Sequence, residues 1–239
     1  MNLIWADEDM LKVQHVHQYY GGSHILRDVS FEVPQGNLTV LMGRNGVGKT
    51  TMVKALMGVV PIREGEIIFD GKLINQLPSY ERVAGGIAYV PQGREIFPRL
   101  TVEENLLIGA ASHKAPKIIP PYIYDLFPIL KDMSSRNGGD LSGGQQQQLA
   151  IGRALMSQPK MIILDEPTEG IQPNIIQQIG KTLVQLVKEQ GITILLVEQY
   201  LDFIREVADK YVVMSRGEIV ASGDGDQMDQ DDIAHLVSV

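Results

Sequence analysis

Residues 38–58 read Leu38-Thr39-Val40-Leu41-Met42-Gly43-Arg44-Asn45-Gly46-Val47-Gly48-Lys49-Thr50-Thr51-Met52-Val53-Lys54-Ala55-Leu56-Met57-Gly58. Leu38 to Met42 is an uninterrupted apolar run of strand length. Lys49 to Met57 is a helical stretch that stops at Gly58, where a glycine can take the left-handed C-terminal conformation. Between them, Gly43 to Thr50 fits the spacing G-x-x-x-x-G-K-[ST]. Strand, glycine loop and helix in this order make a phosphate cradle. The glycines let backbone N–H groups converge on phosphate oxygens, and the helix adds the positive end of its dipole. The spacing predicts that Lys49 contacts the β- and γ-phosphates and that the Thr50 hydroxyl is offered to Mg²⁺, an ion that keeps most of its waters and needs few protein ligands. The alternative, a plain glycine-rich turn, leaves the flanking strand and helix unexplained.

Upstream, Val29, Phe31 and Val33 alternate with Ser30 and Glu32 as in a half-buried strand, before a turn at Pro34-Gln35-Gly36. Downstream, Glu66 to Phe69, Asp70-Gly71 and Leu73-Ile74 read as a hairpin with a type I′ turn. Met161 to Leu164, Thr193 to Val197 and Tyr211 to Met214 are short apolar strands separated by helical stretches such as Ile175 to Glu189. Strand alternating with helix implies a largely parallel, buried sheet. From Gln92 to about Met156 the strand signals vanish. Thr101 and Glu104 form a capping box there, Tyr122 to Leu130 has a helical apolar pattern, and the segment reads as a helical insertion.

Met161 to Leu164 runs into Asp165-Glu166-Pro167, which puts two carboxylates at the C-terminal edge of a buried strand, where open α/β sheets bind ligands. Asp165 suits Mg²⁺ positioning and Glu166 suits a general base that polarises an attacking water. Taken alone, Asp-Glu-Pro would read as a solvated turn.

Composition narrows the classes. A chain of 239 residues with 44% hydrophobic and 21% charged residues is ordinary for a globular protein. It is long enough to bury roughly 70 to 75% of its unfolded surface in one domain, with or without an inserted lobe. A formal net charge of −8 without a Lys/Arg cluster excludes a general nucleic-acid surface. Zero cysteines exclude disulfides and thiolate chemistry, in keeping with a reducing compartment. No stretch approaches the ~18 apolar residues of a membrane span, and Asp7, Glu8 and Asp9 are unlike the basic start of a signal peptide. A membrane role therefore requires a partner. Residues 1–9 read as an extension ahead of the strand opening at Met10.

Leu141-Ser142-Gly143-Gly144-Gln145 precedes a helix running to about Met156, which aims a second set of serine and backbone donors from a helix N-terminus. Here the sequence resembles the ABC ATPase family, whose signature is this pentapeptide lying shortly before the acidic strand. The match extends over nearly the whole chain. The resemblance implies an α/β fold, a P-loop NTPase (RecA-like) core with an N-terminal antiparallel β subdomain and an inserted helical subdomain. It implies one domain over 10–239, with core 10–92 and 157–239 and insertion 93–156.

ATP with Mg²⁺ is the implied cofactor pair, bound where two subunits meet head to tail, between the phosphate loop of one and the signature of the other. Tyr20, followed by Gly21, resembles the aromatic residue that stacks on adenine, and Gln92 the glutamine at the junction with the helical lobe. The implied nucleotide contacts are Tyr20, Gly43, Arg44, Asn45, Gly46, Val47, Gly48, Lys49, Thr50, Thr51 and Gln92, together with Leu141, Ser142, Gly143, Gly144 and Gln145. Thr50, Gln92 and Asp165 are the implied Mg²⁺ positions, and Glu166, Lys49 and Gln199 the catalytic ones. Without the resemblance, Tyr20 would read as turn packing and Gln92 would carry almost no signal.

The sequence departs from the family pattern twice. After Thr193 to Val197 most members carry a histidine, whereas this chain reads Glu198-Gln199, and Glu169-Gly170-Ile171-Gln172 replaces a loop ending in aspartate. Both departures resemble one ATPase subunit of the branched-chain amino acid and urea importers, systems that use two different ATPases. Within that group, Tyr19-Tyr20-Gly21-Gly22-Ser23-His24-Ile25-Leu26 and Gly93-Arg94-Glu95-Ile96-Phe97-Pro98-Arg99-Leu100 look most similar to the urea-transporter ATPase, with a branched-chain amino acid or short amide importer as the alternative. The implied partners are a second, different ATPase subunit, two membrane-embedded permease subunits and, indirectly, an extracytoplasmic solute-binding protein, at the cytoplasmic face of the plasma membrane. Phe97 to Leu100 would supply apolar contact to a permease helix. A soluble ABC ATPase acting on nucleic acid or ribosomes would usually carry tandem cassettes or long insertions, which are missing here. A small-molecule kinase would leave Leu141 to Gln145 without a role.

Overall fold

The computed structural model describes residues 9–111, 118–229 and 233–238. The expected extension therefore lies, but for Asp9, outside the described residues. The chain runs through β1 (Asp9–Tyr20), β2 (Ser23–Pro34), β3 (Leu38–Met42), α1 (Lys49–Leu56), β4 (Glu64–Phe69), β5 (Lys72–Leu73), α2 (Ser79–Ala84) and β6 (Ile87–Val90). Four helices follow without an intervening strand: α3 (Val102–Gly109), α4 (Pro121–Leu126), α5 (Pro128–Asp132) and α6 (Gly143–Leu155). Alternation then resumes with β7 (Met161–Asp165), α7 (Pro173–Gln190), β8 (Thr193–Val197), α8 (Leu201–Val207), β9 (Lys210–Ser215), β10 (Glu218–Asp224) and α9 (Ile233–Ser238).

Two sheets result. β2-β1-β4-β5 is antiparallel throughout. The order β10-β9-β3-β8-β7-β6 is parallel except for the antiparallel edge strand β10. The apolar runs of β3, β7 and β8 are explained by burial on both faces. Val40, Leu164 and Leu196 join a core under α3 to α8, while Leu41, Ile163 and Val197 join a second core shared with α1 and the antiparallel sheet. In β2 the alternation is borne out, with Val29, Phe31 and Val33 buried and Ser30 and Glu32 exposed. The hairpin turn is also as expected, since Asp70 (φ 48°) and Gly71 (φ 71°) both have the positive φ of type I′.

One expectation is corrected. Tyr122 to Leu130 is two helices, because Pro128 forces the preceding residue out of helical geometry: Phe127 has φ −132° and ψ 72°. The apolar spacing survives the break, and Ile123, Phe127 and Leu130 all reach the core.

A second feature gives no sequence signal. Arg82 of α2 is buried, and its guanidinium donates to the carbonyls of Ala55 and Leu56 at 2.7 Å each, of Leu77 at 2.8 Å and of Asn75 at 3.1 Å. It thus caps the end of α1, meeting the Leu56 carbonyl and sharing the Ala55 carbonyl with the Gly58 N–H at 3.1 Å. Gly58 has φ 69°, and a Cβ there would sit 2.8 Å from the Arg82 Nε and 3.0 Å from the Leu77 carbonyl oxygen. Replacing Arg82 by Met keeps the bulk but removes its donors from the carbonyls of Leu56, Leu77 and Asn75. Denaturant unfolding of the nucleotide-free protein is expected to show a loss of about 3 kcal/mol, with Arg82→Lys intermediate.

Candidate nucleotide-binding site

The phosphate loop occupies residues 43–48, between the C-terminal end of β3 and the start of α1. It can take this course only because Gly43 has φ 150° and lies against β9, where a Cβ would meet the carbonyl oxygen of Met214 at 2.3 Å. Lys49 is 5% exposed, and its ammonium donates to the carbonyls of Gly43 at 2.6 Å and Arg44 at 3.0 Å. Burial lowers its pKa, opposed by the charges of Glu166, Asp165 and Glu198. The loop is therefore curled around its own lysine.

Because β3, β8 and β7 are adjacent and parallel, their C-terminal ends open on one side. Asp165 ends β7, Glu166 follows it, and Gln199 lies just after β8, which brings all three to the phosphate-loop side of the sheet. Glu166 Oε1 lies 4.0 Å from Lys49 Nζ. Its backbone has φ 47°, and its N–H donates to the carbonyl of Val197 at 2.9 Å, so the sharp turn is held against β8. The carboxyl pKa of Glu166 is raised, chiefly by burial. Gln92 follows β6, and its amide nitrogen donates to Glu166 Oε2 at 3.1 Å and Glu169 Oε2 at 3.0 Å. Two carboxylates hold that nitrogen, which leaves the amide oxygen as the atom available to a cation.

A cleft of about 460 Å³ lies here. Tyr20, Ile25, Asn45, Gly46, Gly48, Lys49, Thr50, Thr51, Gln92, Glu166, Glu169 and Gln199 line it, and Asp165 does not. Tyr20 is 46% exposed, as a base platform needs and core packing does not. Arg44 and Val47 face the opposite way, toward a separate cavity shared with Arg216.

Asp165 is 2% exposed; its Oδ2 accepts from the Tyr89 hydroxyl at 3.4 Å, while Oδ1 is buried without a hydrogen-bond partner. An orphaned carboxylate oxygen at the end of a buried strand fits a cation ligand. Mg²⁺ is held by one or two protein oxygens plus water and phosphate rather than by a protein cage, so one such oxygen is a sufficient contribution. The residues present fit the ion.

Leu141 to Gln145 do not line the cleft. Leu141 is buried in the core below α3 to α8. Ser142 caps α6: its Oγ accepts from the Gln145 N–H at 3.4 Å, and the Gln145 side chain accepts from the Ser142 N–H at 2.9 Å. Four residues around the site were given no site role by the sequence. Tyr89 touches Asp165, Glu169 lines the cleft, Arg94 donates to the Glu169 carbonyl at 2.9 Å, and Glu198 is a buried carboxylate just after β8. Glu169 and Glu198 stood out in the sequence only as departures from the family pattern, and Arg94 only within a stretch that resembles one importer type.

The sequence profile of the ABC transporter family matches residues 26–169. The chain is 43% identical over 218 residues to the high-affinity branched-chain amino acid transport ATP-binding protein BraG of Pseudomonas aeruginosa, covering 90% of this chain and 93% of that one. It is 33% identical over 221 residues to the probable branched-chain amino acid transport ATP-binding protein LivF of Archaeoglobus fulgidus, covering 92% and 94%. The crystal structure of the ADP conformation of MJ1267, an ATP-binding cassette of an ABC transporter, superposes with a TM-score of 0.84 at 31% identity, over 95% of this chain and 98% of that one. The chain belongs to the ABC transporter family. Within it, the chain is an ATP-binding subunit, an ATPase using ATP with Mg²⁺.

Asp165 also makes a stability prediction. Burial raises its folded pKa above the ordinary carboxylate value of about 3.9, so ionising it costs stability. That cost is absent below the ordinary value, grows as pH rises from it to the folded one, and is constant above that. Asp165→Asn is therefore expected to raise the melting temperature of the nucleotide-free protein at neutral pH, by about 2–4 °C if ~1 kcal/mol is regained. The gain should vanish at acid pH, and differential scanning calorimetry at both pH values reads this out.

Proposed function

We propose that this chain powers an importer of branched-chain amino acids, hydrolysing ATP at the interface of a head-to-tail pair. The observation that carries the reading is the cleft itself, where buried Lys49 stands 4.0 Å from Glu166 at adjoining strand ends, beside an exposed Tyr20. In this reading Tyr20 stacks on adenine, and Gly43 to Lys49 hold the β- and γ-phosphates. Thr51, as the resemblance implies, also contacts the nucleotide. Thr50, Asp165 and the amide oxygen of Gln92 would hold Mg²⁺, which when bound neutralises phosphate charge. Glu166 takes the proton of the attacking water, and Gln199 positions the γ-phosphate side of the site with a neutral amide that does not titrate near neutrality.

Leu141 to Gln145 are then the donors that a partner's nucleotide meets, and the partner is a second, different ATPase subunit. Its own nucleotide closes against the corresponding segment of that partner. Residues 93–156 form the lobe that docks on two permease subunits, with Phe97, half-exposed, among its apolar contacts. Residues 10–92 and 157–239 form the ATPase core. Among the described residues no helix is long and apolar enough to cross a membrane. The chain works peripherally, at the cytoplasmic face of the plasma membrane, and an extracytoplasmic solute-binding protein selects the cargo.

The amino-acid assignment rests on BraG and LivF, which match 90% or more of the chain and are both branched-chain amino acid transport proteins. The urea assignment rests on residues 19–26 and 93–100 alone and is the less supported of the two. Uptake of labelled leucine and urea in cells with and without this chain separates them. The expected result is loss of leucine uptake with urea uptake unchanged, and the reverse would assign the chain to urea.

The chemistry has its own test. Glu166→Gln is expected to keep ATP affinity within about threefold while turnover falls by ~100-fold or more, since an amide cannot accept the proton of water. Lys49→Ala should lose affinity instead. Phosphate release and nucleotide titration on both variants decide this, and an active Glu166→Gln enzyme would remove the general base from the mechanism.

A further inference from the structure

We infer that Glu198 is a positioning residue that fixes the turn presenting Gln199 to the cleft and ties it to the turn carrying Glu166. The inference rests on the roles proposed above for Glu166 and Gln199. Glu198 is 2% exposed and immediately follows β8, where a carboxylate is unfavourable unless its oxygens are matched by donors. They are matched here. Oε1 accepts from the backbone N–H of Gln199 at 2.9 Å and of Tyr200 at 3.3 Å, and Oε2 accepts from the Thr168 hydroxyl at 2.7 Å.

Each of these bonds acts on the site. Gln199 and Tyr200 lie between the end of β8 and the start of α8, so no strand ladder fixes their N–H groups. The carboxylate supplies the missing acceptor from one residue back. Thr168 lies two residues after Glu166, in the turn whose N–H also bonds the Val197 carbonyl. The turns carrying Glu166 and Gln199 are thus joined twice, once through backbone and once through Glu198 and Thr168. Gln199 and Glu166 line the cleft and Glu198 does not, so Glu198 acts through them.

What the site needs from Glu198 is acceptor geometry rather than charge. A glutamine there keeps a carbonyl oxygen for the two backbone N–H groups and can donate its amide N–H to the Thr168 hydroxyl oxygen. An alanine leaves the Gln199 peptide unheld, while Lys49 and Tyr20 still bind nucleotide.

The test is single-turnover hydrolysis and nucleotide affinity in the assembled transporter, measured above the level of Glu166→Gln, which reports the other ATP site. Glu198→Ala is expected to slow hydrolysis about tenfold or more with affinity within about threefold. Glu198→Gln should stay within about threefold of the parent rate. Glu198→Ala combined with Gln199→Ala should be no slower than the slower single variant, because the two residues act as one unit. A slow Gln199→Ala beside a Glu198→Ala at the parent rate would overturn the inference and leave the site reading standing. A Gln199→Ala at the parent rate would instead overturn the role of Gln199 on which the inference rests. Equal losses in Glu198→Gln and Glu198→Ala would show that charge matters, and would also overturn it. Should Glu198→Ala fail to fold, Thr168→Val decides the tie between the turns. It should lower the rate about threefold at unchanged affinity, and the parent rate would refute the tie.

Discussion

The site is organised around a buried cation. Lys49 gives two of its hydrogen bonds to the carbonyls of Gly43 and Arg44, which closes the loop on itself. The third direction faces Glu166. An ammonium removed from water must be matched by acceptors and negative charge, and here these come from its own loop and from the end of β7. The phosphate loop and the acidic strand end therefore need each other before any nucleotide arrives. The antiparallel sheet covers the far side of α1, and β9 packs against Gly43 so closely that no side chain fits.

The carboxylates bear the opposite strain. Asp165 and Glu166 are both partly removed from water, and both have raised pKa values for that reason. Lys49 offsets only part of this, and Glu198 adds to it. Burial of the two carboxyls is thus unfavourable to their ionised forms, and a bound divalent ion would offset it. Preorganised donors beside a transferring phosphoryl group stabilise the charge that develops on it.

How much of this was legible in the sequence depended on whether a feature is local. The phosphate loop, the hairpin at Asp70-Gly71 and the caps at Thr101 and Ser142 are set by residues within eight positions of each other, and each appears in the structure. The burial of β3, β7 and β8 was legible because a strand covered on both faces must be apolar throughout. Arg82 was not, since its acceptors lie up to 27 residues away in chain and an arginine within a polar helix reads as a solvated one. Glu198 was missed for the same reason: its partner Thr168 is 30 residues distant, and a charge after a strand looks like an exposed turn. Tyr89 joins Asp165 only through the pairing of β6 with β7. Assembly of the cleft from Tyr20, Lys49, Gln92, Glu166 and Gln199 follows from sheet order, which spacing alone does not give.

Sheet order also leaves the donors of Leu141 to Gln145 away from the cleft, although they are linked to it mechanically. Arg153, near the end of the helix that Ser142 caps, donates to the carbonyls of Glu95 at 2.8 Å and Arg94 at 3.2 Å. Both acceptor residues have positive φ, 71° for Arg94 and 44° for Glu95, a conformation that costs of order 1–3 kcal/mol per non-glycine residue and persists only when its surroundings hold it. Arg94 in turn donates to the Glu169 carbonyl, and Gln92, two residues back, holds the carboxylates of Glu166 and Glu169. A displacement of α6 that keeps the Arg153 bonds therefore acts on the segment that follows Gln92. In the head-to-tail pairing proposed here, one helix would thus carry both the donors offered to the partner's nucleotide and a hydrogen-bonded tie to the segment beside this chain's own cleft.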